Sequence, residues 1–195
     1  MSKYYRVHAD VDLDIITSNV EALMKLTPES TGAIAVVKAD GYGHGDVAVA
    51  KAVDSKVQMF AVATLDEAVN LRENGIDKPI LILGFVNVDE YETLVKNNVT
   101  ASIFDYETAK ELDEVASDLG MKALCHIKVD TGMRRIGLEP DKTGASIVKD
   151  INSLKNLEVR GIFTHFATSD ETDKSKALVQ LDKFKKFVAM CREEG

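Results

Sequence analysis

The chain has 195 residues, 45% hydrophobic and 29% charged, which suits one domain with a substantial core and is too apolar for a disordered segment. A formal net charge of −8 and the lack of any basic, aromatic-studded stripe argue against a grip on nucleic acid. No apolar stretch is long enough to span a bilayer, the opening MSKYYRVHADVDLD has no apolar signal core, and Cys125 and Cys191 show no CxxC pairing, so a soluble cytoplasmic protein with reduced thiols is expected.

In chain order, Asp12–Leu26 carries Leu13, Ile16, Val20 and Leu23 at helical spacing. A short apolar run follows at Ala33–Lys38, then a glycine-rich loop leading into a helix from about Asp46. Further apolar runs lie at Met59–Ala63, Pro79–Gly84, Val99–Phe104, Ala123–Val129 and Val159–Thr164. They are rich in Val, Ile and Leu and do not alternate with polar residues, which predicts parallel strands covered on both faces. Between them, TLDEAVNLRENG has capping-box spacing at Thr64 and Glu67 and a stop at Gly75. DYETAKELDEVASDLG starts on a capping Asp105, carries a stripe of Ala109, Leu112, Val115, Ala116 and Leu119, and ends on Gly120. A last helix over Lys174–Glu194 has Leu178, Leu181, Phe184, Val188 and Cys191 on one face.

Repeated β-α units predict a parallel sheet with right-handed crossovers. An open doubly wound sheet and a (β/α)8 barrel both fit this pattern. The first strand is not followed by a GxGxxG turn, which weakens the dinucleotide-binding version of the open sheet. About six strands fall short of the eight of a closed barrel, which typically takes about 250 residues. A barrel in this chain is therefore incomplete, with open strand edges and uncovered apolar faces beside the gap.

Polar residues gather after the strands. Lys38 ends the first, Lys128, Asp130, Arg134 and Arg135 follow the fifth, and His165 ends the sixth. Strand C-termini in parallel α/β folds are where active sites form. A lysine at an apolar strand end is partly desolvated, and a neutral amine can attack a carbonyl to form a Schiff base. The loop ADGYGHG gives close backbone approach and the Tyr42 phenol, both suited to a phosphorylated ligand. A Walker loop would place its lysine after the glycines rather than before them. A lysine ahead of a glycine-rich loop, with arginine and histidine after other strands, points to pyridoxal 5'-phosphate. His44 reads as a loop-orienting residue, His8 and His126 as structural or surface histidines, and Asp130 as an organiser of its own loop. The histidines and cysteines show no metal-ligand spacing.

These same stretches carry a resemblance. IAVVKADGYGHG is similar to the cofactor-lysine motif of the alanine racemases, HIKVDTGMRRIG resembles their second signature and GIFTHFATSDE a third. VDLDIITSNVEAL resembles the start of that family's barrel, so the likeness runs from about residue 7 to the end with the motifs in family order. The resemblance implies that residues 1–195 are the N-terminal portion of a pyridoxal-phosphate-binding (β/α)8 barrel domain, followed in the family by a β-rich domain in a homodimer. It implies a Schiff base on Lys38, a phosphate contact from Tyr42, and Arg135 near the cofactor's phenolic oxygen and the substrate carboxylate. His165 would pack against the pyridine ring and Leu83 would line the pocket. Lys128 matches a lysine that is carbamylated in some members and then orients the arginine. The implied reaction interconverts L- and D-alanine, supplying D-alanine for peptidoglycan, with Lys38 serving one face of the substrate. The family's opposite-face base is a tyrosine from its C-terminal domain, so this chain is expected to be inactive alone.

Arg134 departs from the family, which often has glycine there, and the family's last barrel strands and C-terminal domain have no counterpart in these 195 residues. Three rivals share the fold: a decarboxylase of basic amino acids, a racemase acting on serine or several amino acids, and a non-catalytic protein that binds the cofactor only.

Overall fold

The computed structural model describes residues 7–195. The first six residues of the stretch read for a signal core lie outside the described residues. The strands β1 (Ile34–Val36), β2 (Met59–Val62), β3 (Ile80–Ile82), β4 (Thr100–Ile103), β5 (Ala123–Val129) and β6 (Leu157–Thr164) hydrogen-bond in the order β1-β2-β3-β4-β5-β6. A doubly wound sheet reverses its strand order at a switch point, whereas a barrel adds strands sequentially. The order and the parallel ladders, such as Ile34↔Met59 and Thr100↔Leu124, therefore give an α/β fold of the incomplete-barrel type. Two compact units divide the chain, the first ending at Ile80 and the second running Leu81–Gly195.

In the first unit, Asp12 caps α1 (Leu13–Met24) by accepting from the amides of Asp14 and Ile15, both at 3.0 Å. Leu13, Ile16 and Val20 are half-buried, but Leu23, expected on the same inward stripe, is 64% exposed. The helix packs chiefly on α3 (Asp46–Val53), so its apolar residues lose only part of their water contact. β2 is buried along its whole length, as predicted. β1 is not: Ile34 and Val36 are 48% and 42% exposed. β1 is the first strand of the order, and Ile34 and Val36, on one of its faces, keep much of their water contact. Next comes α4 (Leu65–Glu73), which closes the expected capping box between Thr64 and Glu67 and buries Leu65, Ala68 and Leu71. Each such leucine contributes about 1.5–3 kcal/mol of burial.

In the second unit, α5 (Tyr91–Lys96), α6 (Tyr106–Asp118), α7 (Lys142–Asn152) and α8 (Ser175–Glu194) accompany β4, β5 and β6. Asp105 caps α6 through the Thr108 amide at 2.7 Å, and Ala109, Leu112 and Ala116 of the predicted stripe are buried. The sequence pattern did not disclose α5 or α7. The first is only six residues long, and the second carries Gly144 in its first turn. That glycine is needed: a Cβ there would sit 2.1 Å from the Glu139 carbonyl oxygen. On the predicted face of α8, Leu181, Phe184, Val188 and Cys191 are half-buried. Leu178 is 61% exposed, while Gln180 and Phe187 are the buried residues. The polar Gln180 is inside because its amide has partners there, described below.

Tyr91 is 1% exposed, and burial, followed by the Glu111 and Asp105 charges, pushes its phenol up to about 12 from 10.0. A raised folded value means a contribution fully present below pH 10 and lost as pH climbs through about 12. Urea midpoints across that window are expected to fall faster for the native sequence than for Tyr91→Phe. Parallel curves would show that this phenol does not couple folding to pH.

Candidate active site

Lys38 lies two residues past the end of β1, at the head of the six-residue turn α2 (Lys38–Gly43). Ala39, Asp40, Gly41 and Tyr42 all have φ between 53° and 59°, so the turn winds left-handed. For three non-glycine residues that conformation costs about 1–2 kcal/mol each. Polar contacts offset the strain. The Gly41 amide donates to the Val37 carbonyl at 2.9 Å and the Gly45 amide to Asp40 at 2.9 Å. The Asp40 carboxylate accepts from the Asp46 amide at 3.1 Å, and the Ala39 amide donates to Glu67 Oε1 at 2.7 Å. His44 Nδ1 lies 3.0 Å from the Gly41 oxygen; a carbonyl only accepts, so Nδ1 carries the hydrogen. That is the loop-orienting role expected of His44.

The Lys38 ammonium stands 5.9 Å from the centre of the Tyr42 ring. Among the described residues it makes no ion pair or hydrogen bond, and neither does the Tyr42 hydroxyl. Tyr42 is 62% exposed. The turn thus brings together an amine and a phenol without hydrogen-bond partners among the described residues, the chemistry that a carbonyl and a phosphate on one ligand would use.

In the second unit, β5 delivers Lys128 to a site where it is 3% exposed. Its amine donates to the carbonyls of Val129 at 2.9 Å and Ile136 at 3.0 Å, and lies 5.7 Å from the Phe163 ring centre. Burial lowers its pKa, the Asp130 charge works against that, and Arg135 adds to it. Asp130 accepts from the amides of Gly132 (2.8 Å), Arg134 (3.0 Å) and Arg135 (2.8 Å), consistent with a loop organiser. Burial works to raise its pKa, but those amides and Lys128 outweigh it and hold the carboxyl below its ordinary value. Gly137, at φ 137°, closes the loop where a Cβ would meet the Asp130 amide nitrogen at 2.5 Å. Arg135 is exposed, and its guanidinium has no ion pair among the described residues. It borders a cleft of about 530 Å³ with Asp130, Thr131, Arg134, Ile136 and Lys183.

His165 follows β6 directly and is exposed; Leu83 follows β3 directly and is half-buried. His126 is half-buried within β5, where burial and then Arg160 lower its pKa, in keeping with a structural histidine. No local pattern marks Gln180 as a site residue. From α8 its side-chain amide donates to Thr131 Oγ1 at 3.2 Å and the His165 carbonyl at 3.1 Å, and accepts from the Ala167 amide at 2.9 Å. Thr131 and Thr164 share a hydroxyl contact of 2.8 Å, and Thr164 donates to the Val129 carbonyl at 2.9 Å. One glutamine so ties the loop after β5 to the loop after β6. Its contacts lie 13 to 49 residues away in sequence, too far for any local pattern to reveal.

The family model for the alanine racemase N-terminal domain matches residues 11–195. The chain belongs to that family. It is 39% identical over 190 residues to an alanine racemase of Methanococcus maripaludis, covering 97% of this chain and 51% of that protein. It is 43% identical over 190 residues to one from Clostridium perfringens, covering 97% and 49%. Among solved structures, alanine racemase of Clostridium difficile 630 in complex with cycloserine superposes with a TM-score of 0.88 at 38% identity, over 93% of this chain and 49% of that one. The Bacillus anthracis enzyme with bound L-Ala-P gives 0.87 at 35% identity, over 95% and 48%. The chain spans about half the length of the relatives it matches.

Arg134 sits at φ 56°, a conformation that favours glycine. The backbone keeps the left-handed path because Asp130 holds the Arg134 and Arg135 amides. Arg134→Gly is expected to stabilise the protein by about 1 kcal/mol, raising Tm by about 2–4 °C; an unchanged or lower Tm in a thermal scan would contradict this. Lys128→Met leaves the Ile136 carbonyl without a donor among the described residues, while the Val129 carbonyl keeps Thr164, so a loss of about 1–3 kcal/mol is expected in chemical denaturation. A loss under about 1 kcal/mol would mean that Asp130 alone holds the loop.

Proposed function

We propose that this chain is the cofactor-holding N-terminal portion of an alanine racemase, and that the parent protein interconverts L- and D-alanine in the cytoplasm, as a homodimer, supplying D-alanine for peptidoglycan. The observation that carries this reading is the strained left-handed turn directly after Lys38. Strain of this kind persists where surrounding contacts over-determine it, and it clusters at sites that must present a group in one direction. Support comes also from the family match over residues 11–195.

The residues present fit pyridoxal 5'-phosphate. Among the described residues the Lys38 amine makes no hydrogen bond or ion pair that would oppose covalent attachment, and the Tyr42 hydroxyl makes none that would oppose a phosphate contact. Arg135 carries a guanidinium with no ion pair among the described residues, suited to an oxyanion, of the cofactor or of the substrate carboxylate. His165 provides a flat ring and Leu83 an apolar wall. Lys128, buried and with a lowered pKa, holds the loop that carries Arg135, and the same lowering makes its amine available for carbamylation. When bound, the cofactor supplies an electron sink that makes a substrate Cα–H acidic. Lys38 Nζ then accepts or returns the proton at one face of that carbon. Racemisation needs a second acid–base group on the opposite face, which the family resemblance assigns to a tyrosine beyond these 195 residues. These residues alone are therefore not expected to racemise alanine.

The test is borohydride reduction after adding pyridoxal phosphate, followed by peptide mass mapping. An adduct confined to the Lys38 peptide, and abolished in Lys38→Ala, is the expected result. Adducts scattered over many of the chain's lysines, or none, would overturn the assignment of Lys38.

A further inference from the structure

We propose that Glu67 is a positioning residue for Lys38, acting through the backbone of the left-handed turn. This rests on the reading of Lys38 as the cofactor lysine. In an ordinary capping box the glutamate reaches back to its own N-cap amide and does nothing else. Here Glu67 Oε2 accepts from the amides of Ala63 at 2.7 Å and Thr64 at 3.3 Å, which completes the box. Oε1 is left over, and it accepts from the amide of Ala39, 28 residues earlier, at 2.7 Å. Both oxygens are engaged by main-chain donors, and two of the three contacts have the short length of charge-assisted bonds.

The placement of that third donor gives Glu67 its role. The residue before Lys38, Val37, is 2% exposed, and its amide donates to the Ala61 carbonyl at 2.9 Å. The residue after Lys38 is held by Glu67. Lys38 is therefore the one link between two pinned amides, and the direction of its Cα–Cβ bond follows from both. Without Glu67 the Ala39 amide has no other acceptor among the described residues. Ala39, at φ 53°, is then free to relax toward the right-handed or extended regions that an alanine prefers. Rotation at Ala39 carries Lys38 and Tyr42 apart. One helical turn further along α4, Asn70 Nδ2 donates to Asp46 Oδ2 at 2.9 Å, so the same helix also steadies the exit of the loop. Asn70 touches neither Lys38 nor Ala39 in these contacts and cannot substitute for Glu67.

Thr64→Ala separates positioning from capping. It removes the hydroxyl that accepts from the Glu67 amide at 3.4 Å and leaves the carboxylate in place. The first readout needs no cofactor: hydrogen exchange at the Ala39 amide, with mass-mapped acylation of Lys38 relative to the other lysines. Glu67→Ala is expected to speed Ala39 exchange by about tenfold or more and to change the relative acylation of Lys38, whereas Thr64→Ala leaves both within about twofold. Glu67→Gln keeps one oxygen acceptor and serves as the second variant should the alanine variant fold poorly. It is expected to lie between the two, because one amide oxygen cannot hold both the Ala39 and the Ala63 donors. The second readout is borohydride-trapped cofactor on the Lys38 peptide, expected to fall about tenfold in Glu67→Ala and little in Thr64→Ala. Equal effects of Glu67→Ala and Thr64→Ala, or unchanged Ala39 exchange in Glu67→Ala and Glu67→Gln, would overturn the proposal. If the native chain traps no cofactor on Lys38 while Ala39 exchange still depends on Glu67, the cofactor reading fails and the clamp on the turn stands.

Discussion

A main-chain amide that leaves a strand loses its ladder partner, and a carboxylate just beyond the strand end can collect two or three such amides at once. Both candidate loops depend on this interaction. Glu67 gathers the amides of Ala39, Ala63 and Thr64. Asp130 gathers those of Gly132, Arg134 and Arg135. In neither case does the proposed function draw on the acidic residue for chemistry. Its value is that a charge accepting several N–H groups fixes several φ/ψ pairs together, which packing on an exposed loop cannot do. The side chains of the proposed site, Lys38 and Tyr42 in one loop and Arg135 in the other, are then left without hydrogen-bond or ion-pair partners among the described residues.

The left-handed turn shows the magnitudes involved. Ala39, Asp40 and Tyr42 together carry about 3–6 kcal/mol of conformational cost. Hydrogen bonds to a charged acceptor return about 1.5–3 kcal/mol each, and neutral ones about 0.5–1.5. The Ala39–Glu67 and Asp46–Asp40 bonds belong to the first kind, and Gly41–Val37 and Gly45–Asp40 to the second. The two sides are of similar size, so the turn is held without a large margin, and losing one charged acceptor is enough to tip it.

Much of the fold was legible because it follows from local rules. The capping box at Thr64 and the N-cap at Asp105 fell where side-chain oxygens and first-turn amides required them. The apolar runs became strands in sequence order, and six of them gave an incomplete barrel type. What was not legible depends on distant partners. Nothing local marks Ala39, Asp40 and Tyr42 as left-handed, since only Gly41 prefers that region. The burial of Gln180 on α8 depends on Thr131 and His165, and α7 tolerates Gly144 only because Glu139 crosses close to it. Arg134 was visible as a departure, yet its consequence needed the backbone φ of 56°.

Burial along the strand order explains why the two loops are secured differently from the strands that carry them. β2, β3 and β4 are buried throughout, β5 nearly so, while β1 and β6 have partly exposed residues along much of their length. Lys38 thus follows one of the least covered strands, three residues long, with two of its three side chains more than 40% exposed. Packing contributes little to holding such a strand end in place. Position at Lys38 must come from directional bonds, and it does: Val37 to Ala61 on one side, Ala39 to Glu67 on the other. Arg135 follows a buried seven-residue strand, and there the loop is built outward from a fixed base, with Lys128 bonding its two ends from within. Where hydrophobic cover is thin, polar contacts to the backbone take over the task of aiming a side chain.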